Sequence, residues 1–81
     1  MKFVWPESAR SELRAIDREG ALRILHALTD YAQSGEGDIR ALAGEWEGCF
    51  RLRVGEYRVI FSVLPGELAI LRVRHRSNAY R

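Results

Sequence analysis

Residues 50–61 read FRLRVGEYRVIF, and this stretch decides the fold. Apolar side chains recur at every second position on both sides of Gly55-Glu56, which is the period of a β-strand. A two-residue connection with Gly first suits a type II′ turn. The stretch therefore predicts an antiparallel hairpin, with one strand over residues 46–54 and a second over residues 57–64, where a nearly continuous apolar run indicates a central strand.

The short turn fixes which side chains share a face of this hairpin. Leu52 lies opposite Val59 and Arg53 lies opposite Arg58, and residues that face each other across a strand pair point to the same side of the sheet. We expect the helix-covered face to carry Leu52, Val54, Tyr57, Val59 and Phe61. The open face then carries Arg51, Arg53 and Arg58.

A third strand is predicted over residues 68–76, after a Pro-Gly turn. We expect a three-residue loop closed by Leu64 and Leu68, and this register sets Arg58 opposite Arg74. The prediction is a row of three arginines across three strands, with three further arginines beside it. The row is Arg53, Arg58 and Arg74, and its neighbours are Arg51, Arg72 and Arg76.

Charge is unevenly divided along the chain. Residues 1–48 hold 6 basic and 9 acidic side chains, whereas residues 49–81 hold 7 basic and 2 acidic ones, and all seven late cations are arginines. A guanidinium presents a planar fork of donors that fits phosphate, so these arginines favour a surface for a polyanion. The alternative is a solvated face, with the guanidinium groups splayed apart or neutralised by Glu45, Glu47 and Glu56.

The first half of the chain predicts a strand and two helices. Lys2–Trp5 is a short apolar run typical of a strand, and Pro6 suits the first turn of a helix. Apolar residues at helical spacing predict one helix up to a break at Glu19-Gly20 and a second helix up to a loop over residues 34–38. The second helix is expected to bury Ala21, Leu25, Leu28 and Ala32, with Leu22, Ile24 and Tyr31 broadening that face.

Together these elements predict one α+β domain over residues 1–81, a small antiparallel sheet, mixed at one edge strand, with the helical hairpin packed on one face. The only cysteine, Cys49, excludes an internal disulfide and a four-cysteine zinc site. No metal-ligand cluster, Gly-rich phosphate loop, signal peptide or membrane segment stands out in the sequence. We therefore expect no metal, no cofactor, no membrane contact and a cytoplasmic location.

Three parts of the chain resemble the RelE branch of the RelE/ParE toxin superfamily: residues 42–46, residues 50–61 and the ending Arg74–Tyr80. The pattern R-x-R-V-G-[DE]-Y-R over residues 51–58 is the specific part of this resemblance. The helical hairpin also lies where that family places one. The resemblance covers nearly the whole chain and implies a bacterial or archaeal type II toxin with a RelE-like fold.

The resemblance also implies an activity and its partners. RelE-like toxins enter the ribosomal A site and cut the mRNA there without a metal. The RNA 2′-OH attacks the adjacent phosphate, and the products are a 2′,3′-cyclic phosphate and a 5′-OH. The implied function is therefore an mRNA endonuclease that inhibits translation, with a cognate antitoxin that wraps the toxin in a hetero-oligomer.

Individual residues match the family's functional positions. Arg58 matches a phosphate-binding arginine, and Arg74 matches an arginine on the leaving-group side. Tyr80 matches a terminal tyrosine that stacks on or orients a nucleotide, with simple packing as the alternative. Arg51 and Arg53 fall where several RelE proteins carry lysines, one of them a proposed base. A guanidinium keeps its proton at any working pH, so we interpret these two arginines as electrostatic.

His75 is a candidate base because imidazole titrates near neutral pH. Strand alternation places it on the opposite face from Arg74, so a structural or antitoxin-contacting role stays open. The residues predicted to act in catalysis are Arg53, Arg58, Arg74, His75 and Tyr80. The residues predicted to bind RNA phosphates are Arg51, Arg53, Arg58, Arg72 and Arg76.

Two other functions stay open on the sequence. A ParE-like toxin has the same fold but binds and inhibits DNA gyrase without chemistry of its own, and it does not require Arg58, Arg74 and Tyr80 at this spacing. A catalytically inactive toxin fold retained as a binding module is the other alternative. The arginines in place of the family's lysines motivate it.

Overall fold

The computed structural model describes residues 1–78. In that part of the chain, two α-helices and five strands follow one another as β1 (Lys2–Val4), α1 (Glu7–Arg14), α2 (Arg18–Ser34), β2 (Asp38–Ala41), β3 (Phe50–Val54), β4 (Tyr57–Leu64) and β5 (Glu67–His75). Short 3₁₀ helices occupy Gly44–Trp46 and Arg76–Asn78.

The strands form one sheet in the order β1-β5-β4-β3-β2. β1 runs parallel to β5, and all other neighbouring strands are antiparallel. Both helices contribute buried residues to a single core against this sheet. The predicted α+β fold, with a mixed sheet at one edge strand and the helices on one face, is therefore confirmed.

The hydrophobic core lies between the helices and one face of the sheet. Phe61 is fully buried there, with its ring 5.3 Å from that of Tyr31 and 5.8 Å from that of Phe50. Leu52 and Val59 are also buried, as the predicted hairpin face requires. Since full burial of one such side chain stabilises a fold by about 1.5–3 kcal/mol, this face carries the main stabilising contacts.

The break between the helices lies at residues 15–17, so the predicted break at Glu19-Gly20 is wrong. Asp17 caps α2, because its carboxylate accepts a hydrogen bond from the backbone N–H of Gly20 at 3.1 Å. Gly20 itself lies buried in the first turn of α2. A Cβ at this position would lie 2.9 Å from a ring carbon of Tyr57, so the glycine serves close packing against β4 and does not end a helix.

α2 buries part of the broad apolar face predicted for it, and Leu22 and Leu25 of that face are exposed. Ile24 and Leu28 are fully buried, whereas Leu25 is 38% exposed. Tyr31 packs against the core on the same side as the buried pair. The predicted face is therefore correct at Ile24, Leu28 and Tyr31 and wrong at Leu22 and Leu25.

The edge strand β2 was missed, because the sequence prediction treats residues 34–38 as a loop and places no strand after it. β2 is four residues long and pairs Ile39 with Leu52 on the core side. Its partner β3 begins at Phe50, since Trp46 lies in a 3₁₀ helix, so the predicted start of that strand is also wrong. A strand with one core-facing apolar residue is too short to show a period in the sequence.

The β4–β5 hairpin reaches the predicted pairing of Arg58 with Arg74 by a different route. Its turn has two residues and not the predicted three, since Leu64 pairs with Glu67. Gly66 in that turn has φ 72°, a backbone conformation that favours glycine. A shorter turn alone would shift every later pair by one residue, so something further along β5 restores the register.

A β-bulge in β5 restores it. Phe61 pairs with Ile70 and Ile60 pairs with Arg72, which leaves Leu71 as an extra residue in β5. The bulge reverses the alternation of side chains, so Ile70 faces the core while Arg72 faces the other side of the sheet. The adjacent apolar pair Ile70-Leu71 is the sequence signal for this change of phase.

Candidate nucleic-acid interface

The sheet face opposite the helices carries six arginines among the residues that the structure describes. Arg53, Arg58 and Arg74 occupy facing positions on β3, β4 and β5, so the predicted register of this row is confirmed. The next row crosses from β2 to β5 and contains three arginines and one isoleucine. We call the six the arginine face: Arg40, Arg51, Arg53, Arg58, Arg72 and Arg74.

Arg40 is the member of the arginine face that sequence reasoning missed. It lies opposite Arg51 and is exposed, and it reaches this face only because β2 pairs with β3. The four residues of β2 are too few to show a period, so no sequence signal places Arg40 on this face. The arginine face therefore extends over four strands, β2 to β5, whereas the sequence predicts three.

A buried isoleucine holds the centre of the second row. Ile60 is fully buried although it lies on the arginine face, between its pairing partners Arg51 and Arg72. Arginine side chains can cover apolar surface with their aliphatic stems while the charged group stays near water. The side chain of Arg51 is only 13% exposed, so this arginine is a packed element of the face.

Carboxylates contact the arginine face from both edges of the sheet. Asp38 on β2 lies 3.2 Å from Arg51. At the other edge, Glu12 on α1 lies 3.1 Å from Arg72 and 3.0 Å from Arg74. The sequence prediction named neither acid as a source of neutralisation, because both are distant in sequence from the arginines that they contact.

Arg53 and Arg58 occupy the middle of the three-arginine row. Arg53 is exposed to solvent. The guanidinium of Arg58 donates hydrogen bonds from Nη1 to the backbone oxygens of Gly55 at 3.1 Å and of Tyr57 at 2.9 Å. These bonds direct the side chain of Arg58 toward the β3–β4 turn, so the turn sequence helps to set where this guanidinium lies.

The end of β5 gathers a second group of polar side chains. His75 pairs with Tyr57, and the two rings meet edge to face with their centroids 5.7 Å apart. His75 Nδ1 lies 3.1 Å from Ser77 Oγ, and its Nε2 lies 3.7 Å from Glu56. Arg76 is exposed and also lies near Glu56, at 3.9 Å. Strand alternation thus persists to His75, which points to the helix side as expected.

An open cleft of about 380 Å³ nevertheless brings His75 and Arg74 to one place. It lies between the α1–α2 junction and the end of the sheet. Its lining residues are Glu12, Ala15, Ile16, Asp17, Tyr57, Val73, Arg74 and His75. Two residues that point to opposite faces of β5 thus line one cleft, together with residues of α1 and of its junction with α2. Strand alternation alone does not predict that Arg74 and His75 line the same cleft.

A hydrogen bond ties the cleft to the start of α2. The Tyr57 hydroxyl donates to the Asp17 carboxylate at 3.1 Å. Hydrogen bonds from the Gly20 N–H and from Tyr57 hold the pKa of Asp17 below its ordinary value. Partial desolvation, with the bond to Asp17, raises the pKa of the Tyr57 hydroxyl. This hydrogen bond links β4, the strand that carries Arg58, to the start of α2.

One predicted site residue lies outside the described residues. Tyr80, predicted to contact a nucleotide, lies outside residues 1–78. Within the described residues, no three His, Cys, Asp or Glu side chains are grouped as a metal site requires. No helix in that same range is long and apolar enough to cross a membrane.

Comparison with known proteins identifies the family. The family model for the ParE toxin of the parDE type II toxin–antitoxin system matches residues 3–80. A search of curated proteins finds no match.

Several solved toxin structures share the fold. The YoeB/ParE toxin from Agrobacterium tumefaciens superposes with a TM-score of 0.79 at 20% identity, over 93% of this chain and 98% of that one. A chain of the RelB–RelE antitoxin–toxin complex from Methanococcus jannaschii gives 0.76 at 22%, over 95% and 94%. A chain of the RelBE2 toxin–antitoxin complex from Mycobacterium tuberculosis gives 0.67 at 26%, over 95% and 92%. With a family model that spans nearly its whole length and the two-helix, five-strand fold of these toxins, the chain belongs to the ParE toxin family of the RelE/ParE superfamily.

Proposed function

We propose that this toxin cuts mRNA on the ribosome. The observation that carries the proposal is the row of Arg53, Arg58 and Arg74 on three adjacent strands. Like charges that face each other destabilise a sheet by a few tenths to about 1 kcal/mol per pair. Asp38 faces Arg53 and Glu12 contacts Arg74, so the two ends of the row are partly compensated. A ligand with regularly spaced negative charges, such as a single-stranded RNA backbone, accounts for the two like-charge pairs within the row.

Cleavage by the 2′-OH depends on charge around the phosphate. As the bond from O2′ to phosphorus forms and the bond from phosphorus to O5′ breaks, negative charge grows on the non-bridging oxygens. In the proposed arrangement, Arg53 and Arg58 stabilise that charge through hydrogen bonds to the phosphate. Arg74, which faces Arg58 across the strand pair, stabilises the departing O5′. The products are a 2′,3′-cyclic phosphate and a 5′-OH.

Two proton transfers accompany these bond changes, one from the 2′-OH and one to O5′. Guanidinium groups do not accept protons near neutral pH, so Arg51 and Arg53 do not act as the base. His75 shares a cleft with Arg74, and its imidazole is the group on that side suited to proton transfer. Tyr80 is assigned the nucleotide-stacking role on its sequence match alone.

The remaining arginines extend the proposed RNA contact. Arg51 and Arg72 flank Ile60 in the second row, and Arg76 follows directly after β5. We assign these three to phosphates on either side of the cleaved one. Their contacts position the RNA without reading its sequence, because phosphates are the same at every nucleotide.

A cognate antitoxin is the second proposed partner. Two of the similar solved structures are toxin–antitoxin complexes. α2 exposes Leu22 and Leu25, apolar side chains that a folding segment of a partner can cover. An antitoxin that is acidic and partly disordered when alone also suits the arginine face. Action on ribosomes, with an antitoxin made in the same cell, implies a cytoplasmic location and a hetero-oligomeric complex.

Primer extension on one defined mRNA tests the proposed activity. Purified toxin is added with and without translating ribosomes. We expect new cuts inside the reading frame only when ribosomes are present. Cuts in both conditions would support a nuclease activity but contradict action in the ribosomal A site. Absence of cuts in both conditions would contradict the proposal as a whole.

Two arginine variants test the site assignment in the same assay. Arg58→Ala and Arg74→Ala should each lower the cleavage rate by about 100-fold or more, which is the scale for removing one transition-state donor. Arg23→Ala is the matched control, because Arg23 is an exposed arginine on α2 that pairs with Glu19 at 2.6 Å. Equal cleavage by all three variants would show that the arginine row is not the active site.

Inhibition of DNA gyrase is the second candidate function, favoured by the match to the ParE family model. A supercoiling assay with purified gyrase and the same toxin preparation separates the two. Inhibited supercoiling without cuts in mRNA would support gyrase as the target. Neither effect would indicate a binding module without catalytic activity.

A further inference from the structure

Glu12 on α1 contacts the far end of the arginine face. Its Oε1 accepts a hydrogen bond from the backbone N–H of Val73 at 2.7 Å. Its Oε2 lies 3.1 Å from both Nε and Nη2 of Arg72 and 3.0 Å from Nε of Arg74. One carboxylate therefore joins two guanidinium groups to the backbone between them.

The short β1 makes room for this contact. β1 pairs only with residues 67–69 of β5, so further along β5 the strand has α1 beside it. Glu12 supplies to the Val73 N–H the acceptor that a neighbouring strand would otherwise supply. The carboxylate is thus fixed by the backbone of the strand that carries Arg72 and Arg74.

This contact is more enclosed than a similar one on the same helix. The side chains of Glu12, Arg72 and Arg74 are 23%, 28% and 25% exposed. Glu7 also contacts two arginines, but its side chain is 70% exposed. Exposed ion pairs hold their side chains weakly, whereas a half-buried carboxylate with a backbone hydrogen bond keeps its partners in one arrangement.

We propose that Glu12 is a positioning residue for the cleavage reaction. Its carboxylate holds Arg74 in place next to Arg58, so the guanidinium is already oriented when RNA binds. Glu12 acts through Arg74 and Arg72 and does not itself touch the RNA. The inference rests on the proposed function, because it assigns to Glu12 the geometry of that same site.

Two opposite effects follow from this role. The carboxylate offsets part of the charge of Arg72 and Arg74, so these two arginines contribute less to phosphate binding than they would without it. A held guanidinium is correctly placed as charge develops, and a misplacement of about 1 Å can lower a rate by about 100-fold. Loss of Glu12 should therefore strengthen RNA binding and slow cleavage, a combination that a purely structural residue does not produce.

Two variants of Glu12 separate position from charge. Glu12→Gln loses the charge but keeps a carbonyl oxygen for the Val73 N–H. Glu12→Asp keeps the charge but is one methylene shorter, which withdraws the carboxylate from the arginines. Glu7→Gln is the matched control, since it removes one charge from two arginine contacts on the same helix.

Cleavage of ribosome-bound mRNA and binding of a short single-stranded RNA give the main readouts. We expect kcat to fall by about tenfold or more in both Glu12 variants and to stay within about twofold of wild type in Glu7→Gln. Glu12→Gln should also bind the RNA more tightly than Glu7→Gln does. Its slope of log affinity against log salt should be steeper by about 0.7 for each additional phosphate that the freed arginines neutralise.

Nitrogen-15 NMR of the arginine side chains tests the positioning without RNA. In the wild-type toxin, the Nε–Hε group of Arg72 should exchange slowly with water because it donates a hydrogen bond to the Glu12 carboxylate at 3.1 Å. Both Glu12 variants should speed this exchange, and Glu7→Gln should leave it unchanged. Equal exchange in all four proteins would overturn the inference.

The kinetic outcomes separate failure of the inference from failure of the proposed function. Wild-type rates in both Glu12 variants, with an active wild-type toxin, would overturn the positioning role alone. Slower cleavage with weaker RNA binding and a matching loss of stability would mark Glu12 as merely structural and would also overturn it. A wild-type toxin that cuts no mRNA would overturn the proposed function, and the inference with it.

Discussion

The two faces of the sheet are built on opposite principles. The helix-covered face buries apolar side chains such as Phe61 and Leu52, which stabilise the fold without any partner. The arginine face sets Arg53, Arg58 and Arg74 directly opposite one another, which opposes folding. The proposed function places RNA on the arginine face, so substitutions on the helix-covered face should change stability and those on the arginine face should change activity.

The largest loss of stability is expected from Phe61→Ala. Phe61 is fully buried between the rings of Tyr31 and Phe50, so its removal leaves a cavity and should lower the free energy of unfolding by about 3–5 kcal/mol. Denaturant unfolding followed by circular dichroism measures the loss. Val63→Ala is the control on the same strand and face, and because Val63 is exposed it should change stability by under about 1 kcal/mol.

A smaller loss is expected from Gly20→Ala, on the same side of the sheet. The added Cβ would lie 2.9 Å from atoms of Ile16, Asp17 and Tyr57, so the start of α2 must shift away from β4. We expect a loss of about 1–3 kcal/mol in thermal or denaturant unfolding. Gln33→Ala, at an exposed site on the same helix, should stay within about 0.5 kcal/mol, and a neutral Gly20→Ala would show that α2 is not held against Tyr57.

The Asp17 contact should make stability depend on acid pH. Its pKa is lowered in the folded protein, so its contribution is complete above the ordinary value of an unfolded aspartate, about 3.9, and is lost as the pH falls through the lower folded value. Asp17→Asn should therefore lose less stability between pH 7 and pH 3 than wild type. Asp30→Asn, an exposed site on α2, should keep the wild-type pH dependence, and identical curves for all three proteins would argue against the Asp17 contact.

The smallest change in stability, and the one of opposite sign, is expected on the arginine face. Arg53→Gln removes the repulsion with Arg58, while Asp38, which faces Arg53 from β2, keeps its contact with Arg51, so the free energy of unfolding should rise by a few tenths of a kcal/mol, up to about 1 kcal/mol. RNA binding should weaken in the same variant. Arg23→Gln on α2 should show neither effect. A destabilised Arg53→Gln protein would remove the contrast between the two faces.

The parts of the fold that depend on neighbouring residues could be predicted from the sequence. The β3–β4 hairpin is determined by its own alternation and by the Gly55-Glu56 turn, and the pairing of Arg53 with Arg58 follows from these alone. The α+β class follows from the change of period between the two halves. Even so, the β4–β5 pairing was correct only because a shorter turn and a bulge at Leu71 offset each other.

The parts that depend on distant residues could not be predicted in this way. β2 forms by pairing with the edge of β3, and this pairing places Arg40 on the arginine face. Glu12 lies 60 positions before Arg72, and no pattern in the sequence connects them. Packing against the sheet likewise decides which part of the broad apolar face of α2 is buried. These tertiary contacts determine which arginines pair with carboxylates. The distribution of charge on the arginine face therefore could not be predicted from the sequence.

The most direct measurement of the central claim combines stability and cleavage in one triple variant, Arg53→Gln, Arg58→Gln and Arg74→Gln. Denaturant unfolding should show a folded protein whose free energy of unfolding lies within about 1 kcal/mol of wild type, because the repulsion removed from the row offsets the lost contacts of Arg74 with Glu12 and of Arg58 with the turn. Primer extension with translating ribosomes should show none of the in-frame cuts that wild type makes. A folded triple variant that cuts mRNA at the wild-type rate would contradict the account.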